Sequence, residues 1–199
     1  MRLMRAATLA ALLALMPASW VAGQDPRLER LDPATRGLVA SVIDSAHAAG
    51  LPAEPLIQRA LEGATKGAPG DRIVAAARRL AIDLGQARDA LGPASGAELE
   101  AGAAALRAGA SPAVLSELRR ARRRPLTVPL AVLADLVASG VPVDSAVSAV
   151  LALAATARDA DLVEFRRAVE RDIALGAPPA AAASVRVNTA AREARPGRP

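Results

Sequence analysis

The segment LEGATKGAPG, residues 61–70, carries the only lysine of the chain among three glycines and therefore raises the question of a phosphate-binding loop. Loops of the type G-x-x-x-x-G-K-[ST] place the lysine after the second glycine, with Ser or Thr next, between a strand and a helix. Here Lys66 comes before Gly67, neither Ser nor Thr follows, and the preceding residues have a helical pattern. We therefore predict a turn in which Gly67 ends one helix, Pro69 begins the next and Lys66 stabilises a helix C-terminus.

His47 is the only histidine, so any imidazole general base would have to be this residue. Asp44 lies one helical turn before it and can share its helix face, whereas Ser45 faces elsewhere. A Ser–His–Asp triad could be assembled from distant residues, but nothing in the sequence indicates one. A histidine near a helix C-terminus is typical of a dipole or salt-bridge role. We therefore predict no catalytic residue.

Three closely spaced carboxylates, Asp159, Asp161 and Glu164, are the nearest approach to a metal-binding cluster. A calcium loop needs more oxygen ligands and a glycine turn within it, so these acids are better explained as residues that cap and stabilise a helix N-terminus. The chain has no cysteine, which excludes disulfides, thiolate catalysis and cysteine zinc sites. We therefore predict neither a metal site nor a cofactor.

The densest charge in the sequence is LRRARRRP, residues 118–125. One interpretation is a patch that binds an anionic lipid, polysaccharide, nucleic acid or acidic partner. The other is a solvated helix face with cations near its C-terminus, which is common on amphipathic helices. Nucleic acid is not expected, because no aromatic side chains lie nearby to stack bases. As a helix, this segment would carry Arg119, Arg120, Arg123 and Arg124 on one side, opposite Val114, Leu118 and Ala121.

Residues 1–23 have the pattern of a cleaved secretory signal peptide. Arg2 and Arg5 form its basic start, residues 6–16 form a short apolar run, and small residues precede a cleavage site after Gly23. The alternative is a retained membrane anchor, but the apolar run is short for a span. The expected destination is the periplasm or the cell exterior, which removes most cytosolic roles, including gene regulation.

The composition predicts an all-α protein. Hydrophobic residues make up 52% of the 199 residues but aromatic residues only 1%, so the apolar content is mostly Ala, Leu and Val. Ala and Leu favour helices, and no segment alternates polar and apolar residues as a half-buried strand does. The net charge of +5 falls to about +3 (5 − 2) once Arg2 and Arg5 are removed, a mild bias with weak implications for partners.

A recurring glycine–apolar–proline motif divides the chain into helices. Glycine adopts the left-handed conformation that ends one helix, and proline is tolerated in the first turn of the next. The flanking sequences are also alike, which indicates a decayed repeat of helix pairs. The copies are residues 50–52, 67–69, 140–142 and 176–178, with 109–112 carrying one inserted residue.

We predict a single helical domain over residues 32–185, a flexible segment over 24–31 and a disordered tail over 186–199. Its architecture is expected to be an irregular bundle or a short α-solenoid-like array of antiparallel helices. The apolar hairpin over 128–155 is predicted to be buried, because each leg is shorter than the roughly 20 residues that span a bilayer. Helices are expected at about 33–49, 53–66, 70–91, 95–109, 128–139, 142–155 and 160–175, with one more opening at 111–112 and a possible short ninth after residue 175.

Two details concern the faces of the first and third helices. The first helix is expected to turn Leu38, Val39, Val42 and Ile43 inward. Ile82 lies on the face of the third helix opposite its apolar stripe, which indicates a second neighbour there.

Three functions remain open from the sequence. The first is an exported, non-enzymatic protein-interaction or scaffold module. The second is an envelope-associated protein held by the arginine patch, and the third and least expected is an enzyme. The partner, the pathway, the oligomeric state and the choice between a closed bundle and an open superhelix stay undetermined.

Overall fold

The computed structural model describes residues 25–193, and within them the protein is all-helical, as predicted. A short 3-10 helix, Pro26–Arg30, precedes the α-helices. The helices are α1 (Pro33–Ala48), α2 (Glu54–Thr65), α3 (Gly70–Leu91), α4 (Gly96–Arg107), α5 (Pro112–Ala121), α6 (Thr127–Ala138), α7 (Val143–Ala154), α8 (Asp159–Ala174) and α9 (Pro179–Glu193).

Five of the turns between helices are built in the same way, which confirms the glycine–apolar–proline motif. Between α6 and α7, the Gly140 N–H donates to the Val137 carbonyl (2.9 Å) and the Val141 N–H donates to the Leu136 carbonyl (3.0 Å). This pair of bonds satisfies carbonyls that the ending helix leaves without partners, and it requires a left-handed residue. Glycines supply that conformation at Gly50, Gly67, Gly109, Gly140 and Gly176, with φ between +66° and +107°.

The helices form two rows rather than a closed bundle. Helices α1, α3, α5, α7 and α9 contact one another in succession, and α4, α6 and α8 form the second row. Every substantial helix contact joins neighbours or next-neighbours along the chain. The two ends of the array are therefore not packed against each other, as is typical of helical repeat proteins.

Small side chains let the helices of the core approach closely. A Cβ atom on Gly102 of α4 would lie 3.0 Å from the Cβ of Ala87 and 3.3 Å from the side chain of Leu115. The core is otherwise Leu, Val, Ile and Ala, and Phe165, the only aromatic residue in the described region, is buried with them. Helix α6 lies at its centre, since it packs against α4, α7 and α8.

The segment before α1 is ordered, which corrects the predicted flexible segment over its described part, residues 25–31. Leu28 and Leu31 are buried in the core. Arg27 joins this segment to α2, because its guanidinium pairs with Asp25 and with Glu54 at 2.7 Å each. The buried leucines and this ion-pair network fix a stretch whose sequence is too short to show a helical period.

The last helix is longer than predicted. Helix α9 runs to Glu193, so residues 186–193 are helical where the sequence predicted disorder. Arg186 pairs with Asp172 of α8 through two bonds of 2.7 Å, a tertiary contact that no local period reveals. The expected signal peptide, residues 1–23, and the end of the predicted tail, 194–199, lie outside the described residues.

Two predicted apolar contacts are absent. Val39 and Ile43 of α1 are buried, but Leu38 is 50% exposed, and Ile82 of α3 is 55% exposed, so no second neighbour among residues 25–193 buries it. Helix α1 is the first α-helix of its row in the described residues, and a narrower apolar stripe suffices there.

Helices α6 and α7 form the predicted apolar hairpin, and their apolar faces pack within the array. Among residues 25–193, no helix has the length and hydrophobicity needed to cross a membrane.

Candidate functional site

The arginine-rich segment does not form one helical face. Helix α5 ends at Ala121, because Arg122 is extended (φ −132°, ψ 119°). Arg123 and Arg124 therefore lie in the turn before α6, and the predicted four-arginine stripe is broken.

Arg119 forms an ion pair within the chain. Its guanidinium lies 2.6 Å from Glu98 of α4, and Glu98 is only 7% exposed. Burial would raise the pKa of Glu98, but the backbone N–H groups of Leu126 and Ser95 and the charge of Arg119 outweigh it and lower the pKa to about 2. Glu98 thus joins α4 to α5 and to the start of α6, and it also forms a capping box with Ser95 at the N-terminus of α4.

Arg122, which sequence reasoning left out of the patch, is the most deeply buried arginine of the segment at 3% exposure. It donates to the carbonyls of Ala154 (3.0 Å) and Ala157 (2.6 Å) and pairs with Asp159. It therefore fastens the α5–α6 turn to the α7–α8 turn. The sequence did contain an indication that Arg122 is buried, because Arg122 continues the spacing of the buried residues Leu115 and Leu118.

The remaining cations of the segment form an exposed arginine surface, defined here as Arg120, Arg123 and Arg124. None of the three side chains makes a hydrogen bond or ion pair within the described part of the chain. Their charges are therefore available to an anionic ligand in a way that those of Arg119 and Arg122 are not.

The candidate carboxylates at the start of α8 pair with arginines. Asp159 pairs with Arg122, and Glu164 lies 3.7 Å from Arg171. Asp161 accepts from the Arg158 backbone N–H (2.9 Å), and its hydrogen bonds with Arg158 lower its pKa. Within residues 25–193, no group of three or more His, Cys, Asp or Glu side chains is arranged to hold a metal ion.

The other chemically suggestive residues occupy turns and helix surfaces. Lys66 caps α2 and pairs with Glu62 at 2.6 Å, and Gly67 has a φ of +66°, so the predicted turn is confirmed. His47 lies exposed in the last turn of α1. The Ser45 hydroxyl donates to the Ser41 carbonyl rather than to an imidazole.

A groove of about 780 Å³ lies at the C-terminal end of the array, between α7, α8 and α9. We call it the end groove. Buried apolar side chains, including Leu153 and Phe165, form its floor. Its rim is charged and carries both signs, with Arg158, Asp161, Glu164, Arg171 and Arg186.

The end groove was not predicted from the sequence. It depends on how α9 sits against α7 and α8, and the sequence predicted a disordered tail for residues 186–193, the second half of α9. An apolar floor inside a polar rim is the arrangement found where proteins bind other molecules.

Comparison of the chain with protein-family models, with curated proteins and with solved structures found no match. Among residues 25–193, we base the functional proposals on the end groove and the arginine surface.

Proposed function

We propose that this protein is an exported, non-enzymatic interaction module that binds another macromolecule at the end groove. The observation that carries the proposal is the open end of the array. In a helical array each helix pair is covered by the next pair. Helices α8 and α9 are the last pair in the described residues, and their groove remains uncovered.

The chemistry of the end groove favours a protein surface as ligand. Its floor is apolar around Leu153 and Phe165, so an apolar side chain of the partner that enters the groove would leave water, which favours binding. Its rim charges are paired with one another, as Arg158 is with Asp161 (3.0 Å) and Arg171 with Glu164 (3.7 Å). Such a rim imposes specificity and orientation more than attraction.

Export is supported by the signal-peptide pattern of residues 1–23. A partner in the periplasm, the cell envelope or the exterior follows from that location.

A second candidate function is attachment to an anionic lipid or polymer through the arginine surface. The specific observation in its favour is that Arg120, Arg123 and Arg124 are exposed and unpaired within the described residues. Such attachment would weaken as salt increases, because exposed charges are screened.

A pull-down from an envelope extract, run at low and high salt with residues 24–199 as bait, tests both functions. Ala152 is exposed and lines the end groove, whereas Ala155 is also exposed but does not line it. Ala152→Arg should therefore block the groove, with Ala155→Arg as its matched control. A third variant replaces Arg120, Arg123 and Arg124 with alanine.

The interaction-module proposal expects a discrete protein that the native chain and Ala155→Arg retain at high salt and that Ala152→Arg loses. Lipid or polymer captured only at low salt, and lost with the triple alanine variant, would instead support the arginine surface. Recovery of nothing by a native chain that is also monomeric in solution contradicts both functions.

A further inference from the structure

One face of α8 combines charges of both signs with an exposed leucine. Asp161, Glu164, Ala168, Arg171 and Leu175 follow one another at intervals of three or four residues, so they share a helix face. The face spans about 21 Å at the helical rise of 1.5 Å per residue. The first four residues also line the end groove.

Leu175 is the most exposed large apolar side chain in the described region, at 81%. It caps α8 and is held there by the turn at Gly176, whose N–H donates to the Ile173 carbonyl (2.9 Å). The result is an apolar knob at one end of the face. The apolar floor of the end groove, with Phe165 and Leu153, lies near the other end.

The charges between knob and groove are arranged antisymmetrically about Ala168. Glu164 lies four residues before it and Arg171 three residues after it. Within one chain these two side chains are 3.7 Å apart, and both are more than half exposed. An exposed pair of this kind contributes little to folding and is free to exchange partners.

We propose that the macromolecule bound at the end groove is a second copy of this chain, related to the first by a twofold axis at Ala168. Two antiparallel α8 helices then place each Glu164 opposite the second copy's Arg171. The small Ala168 side chains meet at the axis and allow close approach. The Leu175 side chain of each copy lies over Asp161 of the other, at the mouth of the end groove.

Such an interface is self-complementary, as a twofold dimer requires. It covers the exposed Leu175 side chain and the apolar groove at once, and it brings Glu164 of each copy close to Arg171 of the other. This inference rests on the proposed function of the end groove.

Sedimentation of residues 24–199 over a range of protein concentrations tests the proposal. We expect a dimer. Leu175→Asp should raise the dimer Kd on the order of 100-fold, because an apolar contact made twice is replaced by a buried charge. Ile82→Asp, a change at another exposed apolar residue, should leave the Kd unchanged.

Charge exchange tests the pairing directly. Glu164→Arg and Arg171→Glu should each raise the dimer Kd about 10-fold, and the two changes in one chain should restore it. Both side chains are exposed, so neither single variant should affect folding. A dimer that is insensitive to Leu175→Asp and to the single charge changes would overturn the proposal.

Because the chain has no cysteine, a single introduced cysteine can test the position of the proposed twofold axis. Ala168→Cys should give a disulfide-linked dimer on mild oxidation, since linkage needs Cα atoms within about 7 Å. Ile82→Cys is the control and should remain monomeric on a reducing-agent-free gel. Failure of Ala168→Cys to link would also overturn the proposal.

The two proposals fail separately. A chain that is monomeric in sedimentation but captures a different protein through the end groove overturns self-association and keeps the proposed function. A monomer that captures nothing overturns both.

Discussion

Two buried charged side chains, Glu98 and Arg122, connect parts of the chain that are far apart in sequence. Glu98 of α4 accepts from Leu126 and Arg119, and Arg122 donates to the turn before α8. A buried charge is stable only when its hydrogen bonds are satisfied. These residues therefore fix the relative positions of α4 to α8 more tightly than their apolar neighbours alone would.

The first prediction concerns the pH dependence of stability. Glu98 has a folded pKa of about 2, lowered from 4.5, so its ionised form stabilises the fold above about pH 4.5. This stabilisation should be lost as the pH falls towards about 2. Glu98→Gln should lower the free energy of unfolding by about 3 kcal/mol near neutral pH, and the difference should vanish near pH 2.

Urea unfolding of the native chain and the variant at a series of pH values measures this difference. Glu100→Gln is the matched control, since Glu100 is an exposed neighbour on the same helix. A difference in the free energy of unfolding that stays constant across the pH range would show that the ionised Glu98 carboxylate does not provide this stabilisation.

The second prediction separates the two kinds of arginine in residues 119–124. Arg122→Ala should reduce the free energy of unfolding by about 3 kcal/mol, because it leaves carbonyls and Asp159 without their partner. Arg123→Ala should change it by less than about 0.5 kcal/mol, because Arg123 is exposed. Equal effects in urea unfolding would show that Arg122 does not hold the two turns together.

At the scale of the element, the array is a series of helices that end in the same way. Each of five turns places a glycine with positive φ between two helices, and proline follows the glycine after one or two intervening residues. The repeated geometry sets the angle at which successive helices meet. It explains why helix boundaries could be read from the sequence while helix partners could not.

The third prediction compares two glycines that both have room for an added Cβ atom but differ in the sign of φ. Gly176 has a φ of +96°, Gly85 lies within α3, and an added Cβ meets nothing within 4 Å at either site. Gly176→Ala should destabilise by about 1 kcal/mol, because left-handed backbone is costly for alanine. Gly85→Ala should stabilise by about 1 kcal/mol through helix propensity.

The midpoints of thermal and urea unfolding should therefore fall for Gly176→Ala and rise for Gly85→Ala. Destabilisation by Gly85→Ala would reveal packing constraints that the open space around it does not show.

At the scale of the whole molecule, stability is distributed unevenly because contacts are local. Helix α6 packs against α4, α7 and α8, whereas α1 and α9 are the first and last α-helices of the described array. In such arrays the ends open more readily than the middle. A twofold dimer through α8 would also cover the open end that carries α9.

The fourth prediction is a gradient of amide hydrogen exchange. Backbone amides of α4 and α6 should exchange slowest, and those of α1 and α9 fastest, at low protein concentration. Raising the concentration should slow exchange in α8 and α9 if the chain dimerises there. Uniform protection along the chain would indicate a closed, fully cooperative bundle instead.

Much of the fold could be predicted from local chemistry, while the candidate site could not. Asp32, Ser95 and the motif glycines mark helix ends through bonds made within a few residues. Arg119 was predicted to be a surface cation, but its ion pair with Glu98 crosses 21 residues. Arg122 was passed over for the same reason, since its partners lie more than 30 residues away.

The sequence by itself determined the all-α class, the positions of most helices and the form of the turns, because helix propensity, capping and glycine conformation act over a few residues. Only the tertiary structure decided that the helices form two open rows, that 186–193 extends α9 and that α7, α8 and α9 enclose the end groove. These features depend on which apolar faces meet and which charges pair across long separations. Small Ala and Leu side chains fit many such arrangements, so their pattern alone does not select one.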